Sequence, residues 1–246
     1  MKAMIFAAGL GTRLRPLTND RPKALVEVGG KPMLQRVIEH LAQYGFTDIT
    51  VNVHHFGQKI IDFLEENHNF GLDIHISDER DLLLDTGGGL LKARPHLDGD
   101  EPFLVHNADI LTDLDLKAMY DYHLRANALS TILVKPRVTQ RYFLFDDDNR
   151  LRGWVNKSTG ETKPDGFVYN PGEFQELAFG CVHVISPAIF DVLQEFSKGE
   201  KVFSITPFYA GECHKHIIHG YQQATPYRWI DVGKKETLAE AEALFQ

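Results

Sequence analysis

Ala3-Met4-Ile5-Phe6-Ala7-Ala8-Gly9-Leu10-Gly11-Thr12-Arg13-Leu14 is a short apolar run that passes straight into two glycines. A run of this kind reads as a strand buried on both faces, here over 3–8. A loop leaving such a strand through two glycines lets backbone N–H groups approach an anion closely. Arg13 adds a planar fork of donors, and Lys23, beside Pro22 and ten residues after Arg13, adds a mobile point charge. Ala7, Ala8, Gly9, Gly11, Thr12, Arg13 and Lys23 are therefore the expected cradle for a triphosphate. Position and charge stabilisation are the main things that phosphoryl transfer asks of a protein, which assigns catalytic weight to Arg13 and Lys23. Two other phosphate loops do not fit. A Walker loop needs GxxxxGK[ST], whereas Gly11 is followed by Thr12-Arg13. A dinucleotide fingerprint needs GxGxxG and an acid after the second strand, which here closes on Val53-His54-His55.

Downstream, short apolar runs alternate with helical periodicity. Pro32 opens a helix carrying Met33, Leu34, Val37, Ile38, Leu41 and Ala42 on one face. Strands are expected over 49–53, 72–76 and 103–106, with helices over 58–66 and 114–125, and a glycine-rich turn at 87–89 leads into a short helix ending near Pro95. This order implies an α/β fold, a doubly wound and mostly parallel sheet covered on both faces. After Ser130 the pattern changes. Strands over 130–134, 143–145, 151–155 and 180–185 surround a polar insertion at 156–175, and helices follow at 187–196 and 235–245. The expected organisation is one domain over 1–246, with a core at about 1–135 and 177–246. An appended mixed sheet at about 136–176 forms a lid.

Composition narrows the function. The 246 residues include 43% hydrophobic and 11% aromatic ones, enough for a sizeable core, and carry a formal net charge of −8. That balance argues against a generic nucleic-acid partner. Two isolated cysteines offer no zinc framework and suit a reducing cytosol. No apolar run is long enough for a membrane span or a secretion signal, so a cytoplasmic location is expected. His54-His55 lack a third ligand at metal spacing, His214, His216 and His219 read as surface residues, and Asp146-Asp147-Asp148 reads as a hairpin turn.

The stretch GxGTRLxPLT followed by Pro22-Lys23 resembles the N-terminal signature of the sugar nucleotidyltransferase family, and the resemblance runs through the whole chain. Leu84-Asp85-Thr86-Gly87-Gly88-Gly89 is similar to that family's second nucleotide-binding turn, in a form most like a uridylyl-transferring branch. The runs Phe56-Gly57-Gln58-Lys59-Ile60 and Trp229-Ile230-Asp231-Val232-Gly233 are also similar to that branch. The resemblance implies attack of a sugar 1-phosphate oxygen on the α-phosphorus of an NTP, with release of pyrophosphate and dependence on Mg²⁺. It assigns Asp85, Thr86 and Gly87 to the nucleotide.

Asp109 lies just past a buried strand, where ligands bind in parallel sheets. Two hard oxygen donors suit Mg²⁺, and Asp109 and Asp231 match the family's two acidic positions. Ala108 stands where the family has glycine, so an ordinary backbone conformation is needed there. The resemblance places Asn107, Asn156, Lys157 and Gly180 against the sugar phosphate. Asn156 replaces a family acid, which implies altered sugar recognition and fits a sugar bearing its own carboxylate. The expected substrates are UTP and N-acetylmuramic acid 1-phosphate, with salvage of a cell-wall sugar as the role. The alternatives are guanylyl or thymidylyl transfer to a hexose 1-phosphate, or a non-catalytic nucleotide-sugar-binding protein on the same fold.

Overall fold

A computed structural model describes residues 1–245. The first half contains β1 (Lys2–Phe6), the small hairpin β2 (Glu27–Val28) and β3 (Lys31–Pro32), α1 (Met33–Gln43), β4 (Asp48–Val53), α2 (Gly57–Glu66), β5 (Asp73–Asp78), α3 (Asp85–Lys92) and α4 (Arg94–Leu97). Next come β6 (Phe103–Asn107), β7 (Ile110–Thr112), α5 (Leu116–Ala126), β8 (Ser130–Lys135), β9 (Arg141–Phe145), β10 (Leu151–Asn156) and β11 (Glu161–Lys163). The chain ends with β12 (Gln175–Ile185), α6 (Ile189–Ser197), α7 (Ile205–Glu212), β13 (Ile218–Tyr221), β14 (Trp229–Asp231) and α8 (Lys235–Leu244). No helix is long and apolar enough to cross a membrane among the described residues.

The parallel strands lie side by side as β5, β4, β1, β6, so the chain works outward from β1 on one side and returns to its other flank at β6. That reversal leaves a crevice beyond the carboxyl ends of β1 and β6. Period-two alternation explains why both faces are covered. Ala3 and Ile5 of β1 pack with α1, α2 and α5, whereas Met4 faces α3, α6 and α7. β1 stops at Phe6, two residues earlier than its apolar run suggests, which frees Ala7 and Ala8 to begin the loop.

The second half joins the same sheet. β12 runs antiparallel to β6 through Val182–Ile185 and to β9 through Gln175–Leu177. Its ladder with β8 shifts register between Phe179 and His183, where Cys181 adopts a left-handed φ of 57°. The distal strands β9, β10 and β11 therefore continue the main sheet through one bent strand, and β11 lies inside what the sequence reads as a polar insertion. Since β8 opposes β12, and β12 opposes β6, β8 ends at Lys135 on the same edge as the crevice.

Three buried histidines make the core acid-sensitive. Burial pushes His106 and His123 down to about 4 and His183 to about 3. His183 is bonded to the Tyr209 hydroxyl at 2.6 Å, and His123 lies between Thr131 and Ser186. Between pH 6.5 and 4 the unfolded chain takes up a proton at each ring while the folded chain does not. Stability should thus fall with acidity there, by up to about 1.4 kcal/mol per pH unit for each ring. Urea unfolding at pH 7, 6 and 5 reads this directly. A flat profile would mean that the rings protonate within the fold.

Candidate active site

The loop after β1 owes its path to Gly11, whose φ of 64° is left-handed and whose carbonyl accepts the Thr18 hydroxyl at 2.8 Å. A Cβ at Gly11 would meet Lys23 Cβ at 2.9 Å, so a side chain here would collide with the residue that the loop must admit. Ala7 and Ala8 are buried, and Thr12–Leu14 forms a single 3₁₀ turn with Arg13 exposed.

Asp109 and Asp231 meet through a ribbon that sequence periodicity missed. β14 pairs antiparallel with β7, placing Asp231 opposite Ile110, and the Val232 N–H donates to the Asp109 carbonyl at 2.9 Å. Both strands are too short to show a pattern. Ala108, which precedes Asp109, is not among the positive-φ residues, as its side chain requires. Lys23 Nζ forms an ion pair with Asp109 Oδ2, and the lysine side chain is only 11% exposed. Burial, followed by the Asp109 charge, holds the Asp231 carboxyl above the usual carboxylate range, against the pull of Lys23 and Arg13. Asp231 Oδ1 is buried and has no hydrogen-bond partner among the described residues. A Cβ at Gly233 would sit 2.8 Å from that oxygen and 3.1 Å from the Arg13 guanidinium, which locates Arg13 beside this acid.

Two carboxylates that repel each other, one with an orphaned oxygen, form a donor set suited to a hard divalent cation. A different trio, Asp48, Asp73 and His75, lies at the amino ends of β4 and β5, on the opposite edge of the sheet.

A cleft of about 340 Å³ is lined by Ala7, Ala8, Gly9, Lys23, Asp85, Thr86, Asn107 and Asp109, all singled out by sequence. Its further lining includes Asn52, Glu79, Leu83 and Val202, which sequence reasoning missed. Asn52 Oδ1 accepts the Ala7 N–H at 2.7 Å and its Nδ2 donates to Glu79 Oε1 at 2.7 Å, while Glu79 Oε2 accepts the Leu84 N–H at 3.0 Å. This chain of bonds ties together the strand ends that floor the cleft. Glu79 is 0% exposed, and burial holds its carboxyl above the usual range. The available signal was a polar Asn inside an otherwise apolar strand.

The glycines at 87–89 are helical, not a turn, and belong to α3. Packing demands them. The Gly87 and Gly88 N–H groups donate to the Phe203 carbonyl, and a Cβ at Gly88 would drive into the Lys201 carbonyl oxygen. Thr86 Oγ1 accepts the Ile205 N–H at 3.0 Å, so residues 201–205 brace the cleft wall from behind. Gly88→Ala is expected to cost about 1–3 kcal/mol through overpacking. That loss should lower Tm by several degrees. Thermal unfolding checks it, and an unchanged Tm would show that the brace yields freely.

The sugar-side residues are placed less simply. Gly180 accepts the Trp229 indole N–H at 3.0 Å. Asn156 is 8% exposed, and its Oδ1 accepts from Ser158 N at 3.1 Å and Ser158 Oγ at 2.7 Å. Its Nδ2 has no partner among the described residues. Lys157 is engaged by Glu176 and lies 5.0 Å from the Tyr142 ring centroid. His54 bonds to the Glu79 carbonyl at 2.7 Å, and Asp146 caps its own hairpin turn.

Residues 2–246 match the family model for nucleotidyl transferases. The chain is 34% identical over 250 residues to the N-acetylmuramate alpha-1-phosphate uridylyltransferase of Neisseria meningitidis, covering 99% of this chain and 98% of that protein. It is 29% identical over 252 residues to a mannose-1-phosphate guanyltransferase of Aspergillus oryzae, covering all of this chain but 64% of the fungal protein. The fold superposes on HddC of Yersinia pseudotuberculosis, solved with GMP-PN, at a TM-score of 0.76 and 23% identity, covering 100% and 99% of the two chains.

Proposed function

This chain belongs to the nucleotidyl transferase family, and from that premise we propose that it transfers the uridylyl group of UTP to N-acetylmuramic acid 1-phosphate in the cytosol. The arrangement that carries this reading is the convergence of Lys23, Arg13, Asp109 and Asp231 beside the glycine loop, at the point where the strand order reverses. The near-complete overlap with the meningococcal relative supports the choice of base and sugar, and re-use of a cell-wall sugar follows as the role.

The sugar phosphate is already ionised, so its oxygen attacks the α-phosphorus without a general base, and the cleft lining contains no histidine. The α-phosphorus–oxygen bond to the β-phosphate breaks as the new bond forms. The loop N–H groups at 8–11 hold the phosphates, and Arg13 and Lys23 offset charge as it shifts onto the departing pyrophosphate. Asp109 and Asp231 would hold Mg²⁺, which supplies compact positive charge and fixes phosphate geometry. Leu83 and Val202 offer an apolar wall for the base. Asn156 Nδ2 is a donor with no acceptor of its own, suited to a sugar hydroxyl or carboxylate, whereas a glutamate there would repel an acidic sugar.

A pyrophosphate-release screen crossing UTP, GTP, dTTP, ATP and CTP with N-acetylmuramic acid, N-acetylglucosamine, glucose and mannose 1-phosphates tests the proposal. UTP with N-acetylmuramic acid 1-phosphate should give the highest kcat/KM. Preference for GTP and mannose 1-phosphate would replace the uridylyl reading with the guanylyl one, and no turnover with any pair would favour a binding protein.

A further inference from the structure

We propose that Lys135 and Arg137 form an oxyanion subsite that receives an anionic group of the sugar 1-phosphate, an inference that rests on the transferase reading above. Lys135 is the last residue of β8, which ends on the crevice edge of the sheet, and Arg137 follows two residues later. Lys135 Nζ lies 4.5 Å from the Tyr227 ring centroid and 5.0 Å from that of Trp229, and the Arg137 guanidinium carbon lies 5.2 Å from the Trp229 centroid. Trp229 and Asp231 are two apart on β14, so they project from the same face of that strand. Arg137 is also close enough to Asp231 and Cys181 for its charge to bear on both. The two cations are thus held beside the acid assigned to the metal, on the side away from the base wall.

Neither side chain has an ion-pair or hydrogen-bond partner among the described residues. Several other cations of the fold do have one. Arg80 pairs with Asp78, Arg94 with Asp98 and Asp191, Arg152 with Asp146, and Lys157 with Glu176. Two like charges close together are mutually unfavourable, and burial together with Arg137 draws the Lys135 ammonium below its ordinary range. Aromatic faces position cations without neutralising them. An incoming oxyanion would satisfy both and relieve the repulsion. Lys157, by contrast, has its charge already met by Glu176, whereas the Lys135–Arg137 pair has no such partner among the described residues. The phosphate of the substrate and a carboxylate on its sugar offer the same chemistry.

Steady-state kinetics with Mg²⁺ separate these outcomes, using Lys135→Ala, Arg137→Ala and Arg137→Lys and varying UTP and each sugar 1-phosphate in turn. Loss of a charge-assisted bond should raise the sugar 1-phosphate KM by about 10- to 100-fold in each alanine variant. The UTP KM should stay within about twofold, and Arg137→Lys should recover part of the loss. A rise confined to N-acetylmuramic acid 1-phosphate assigns the carboxylate, and an equal rise with N-acetylglucosamine 1-phosphate assigns the phosphate. Either result supports the subsite. If the wild type turns over and both alanine variants keep its sugar KM, the subsite is overturned while the transferase reading stands. Equal rises in both KM values, with a lowered Tm, would show a structural clamp on Trp229 and would also overturn it. A wild-type chain inert toward every sugar 1-phosphate would remove the transferase reading and the subsite together.

Discussion

Lys23→Ala should lower kcat/KM by about 10²- to 10³-fold while leaving a folded protein. The lysine sits where β1's loop returns to the sheet edge, paired with Asp109 and largely withdrawn from water. Its removal has two effects. The triphosphate loses a fixed cation at the moment charge moves onto the leaving group. Asp109 also loses its partner while remaining beside Asp231, so two carboxylates face each other with less compensation. Arg13 cannot substitute, because it reaches Asp231 from the exposed side of the loop. Circular dichroism and Tm report the fold, and pyrophosphate release reports turnover. A variant retaining more than about a tenth of wild-type kcat/KM would remove Lys23 from the chemistry and leave it as a structural counter-charge.

The second large effect concerns the acids. Asp109→Asn and Asp231→Asn are each expected to reduce kcat/KM by at least about 10³-fold, and EDTA should abolish wild-type activity until Mg²⁺ or Mn²⁺ is restored. An amide keeps the shape but surrenders the charge that holds a hard cation against clustered phosphates. Asp231 carries the sharper version of this test. Its buried Oδ1 has no partner among the described residues, and its charged form is disfavoured by burial and by Asp109. The apo protein should therefore tolerate Asp231→Asn, or even gain stability, while losing activity. Such opposite movement of Tm and kcat/KM marks a residue kept for binding rather than for folding. Activity that survives both chelation and Asp231→Asn would falsify the two-acid assignment.

Much of this was legible in the sequence where local pattern and local structure coincide. The apolar runs that become β1, β4 and β6 are buried on both faces, so continuous hydrophobicity sufficed to find them. The loop motif needed only its own residues, since Thr18 and Lys23 both pack around Gly11. What failed depended on distant partners. The strands at Ile110–Thr112 and Trp229–Asp231 exist because each pairs with the other, and three residues carry no periodicity. Gly87–Gly89 read as a turn because consecutive glycines favour one. The helix wins there because Phe203 and Lys201 approach so closely that no side chain fits. Asn52 left one signal, a polar residue inside an apolar strand, but its pairing with Glu79 has no sequence signature until the strands that bring them together are known. Lys135 and Arg137 look like ordinary surface cations until the sheet directions show which edge they occupy.

β12 has a consequence for anyone wishing to exchange sugar preference between relatives. The strand is one continuous span, hydrogen-bonded to β6 at one end and to β9 at the other, with its single crease at Gly180–Val182. The segment at 136–176 is therefore not a module that can be cut out and transplanted. A splice at its downstream boundary falls within the stretch of β12 that pairs with β9, and a donor strand longer or shorter by one residue would flip every residue beyond the junction to the opposite face. A chimera that keeps the recipient's β12 whole, crease included, and changes only side chains on β9 and β10 preserves the alignment on which both ends depend. Engineering here is a matter of repainting the distal strands, not replacing them.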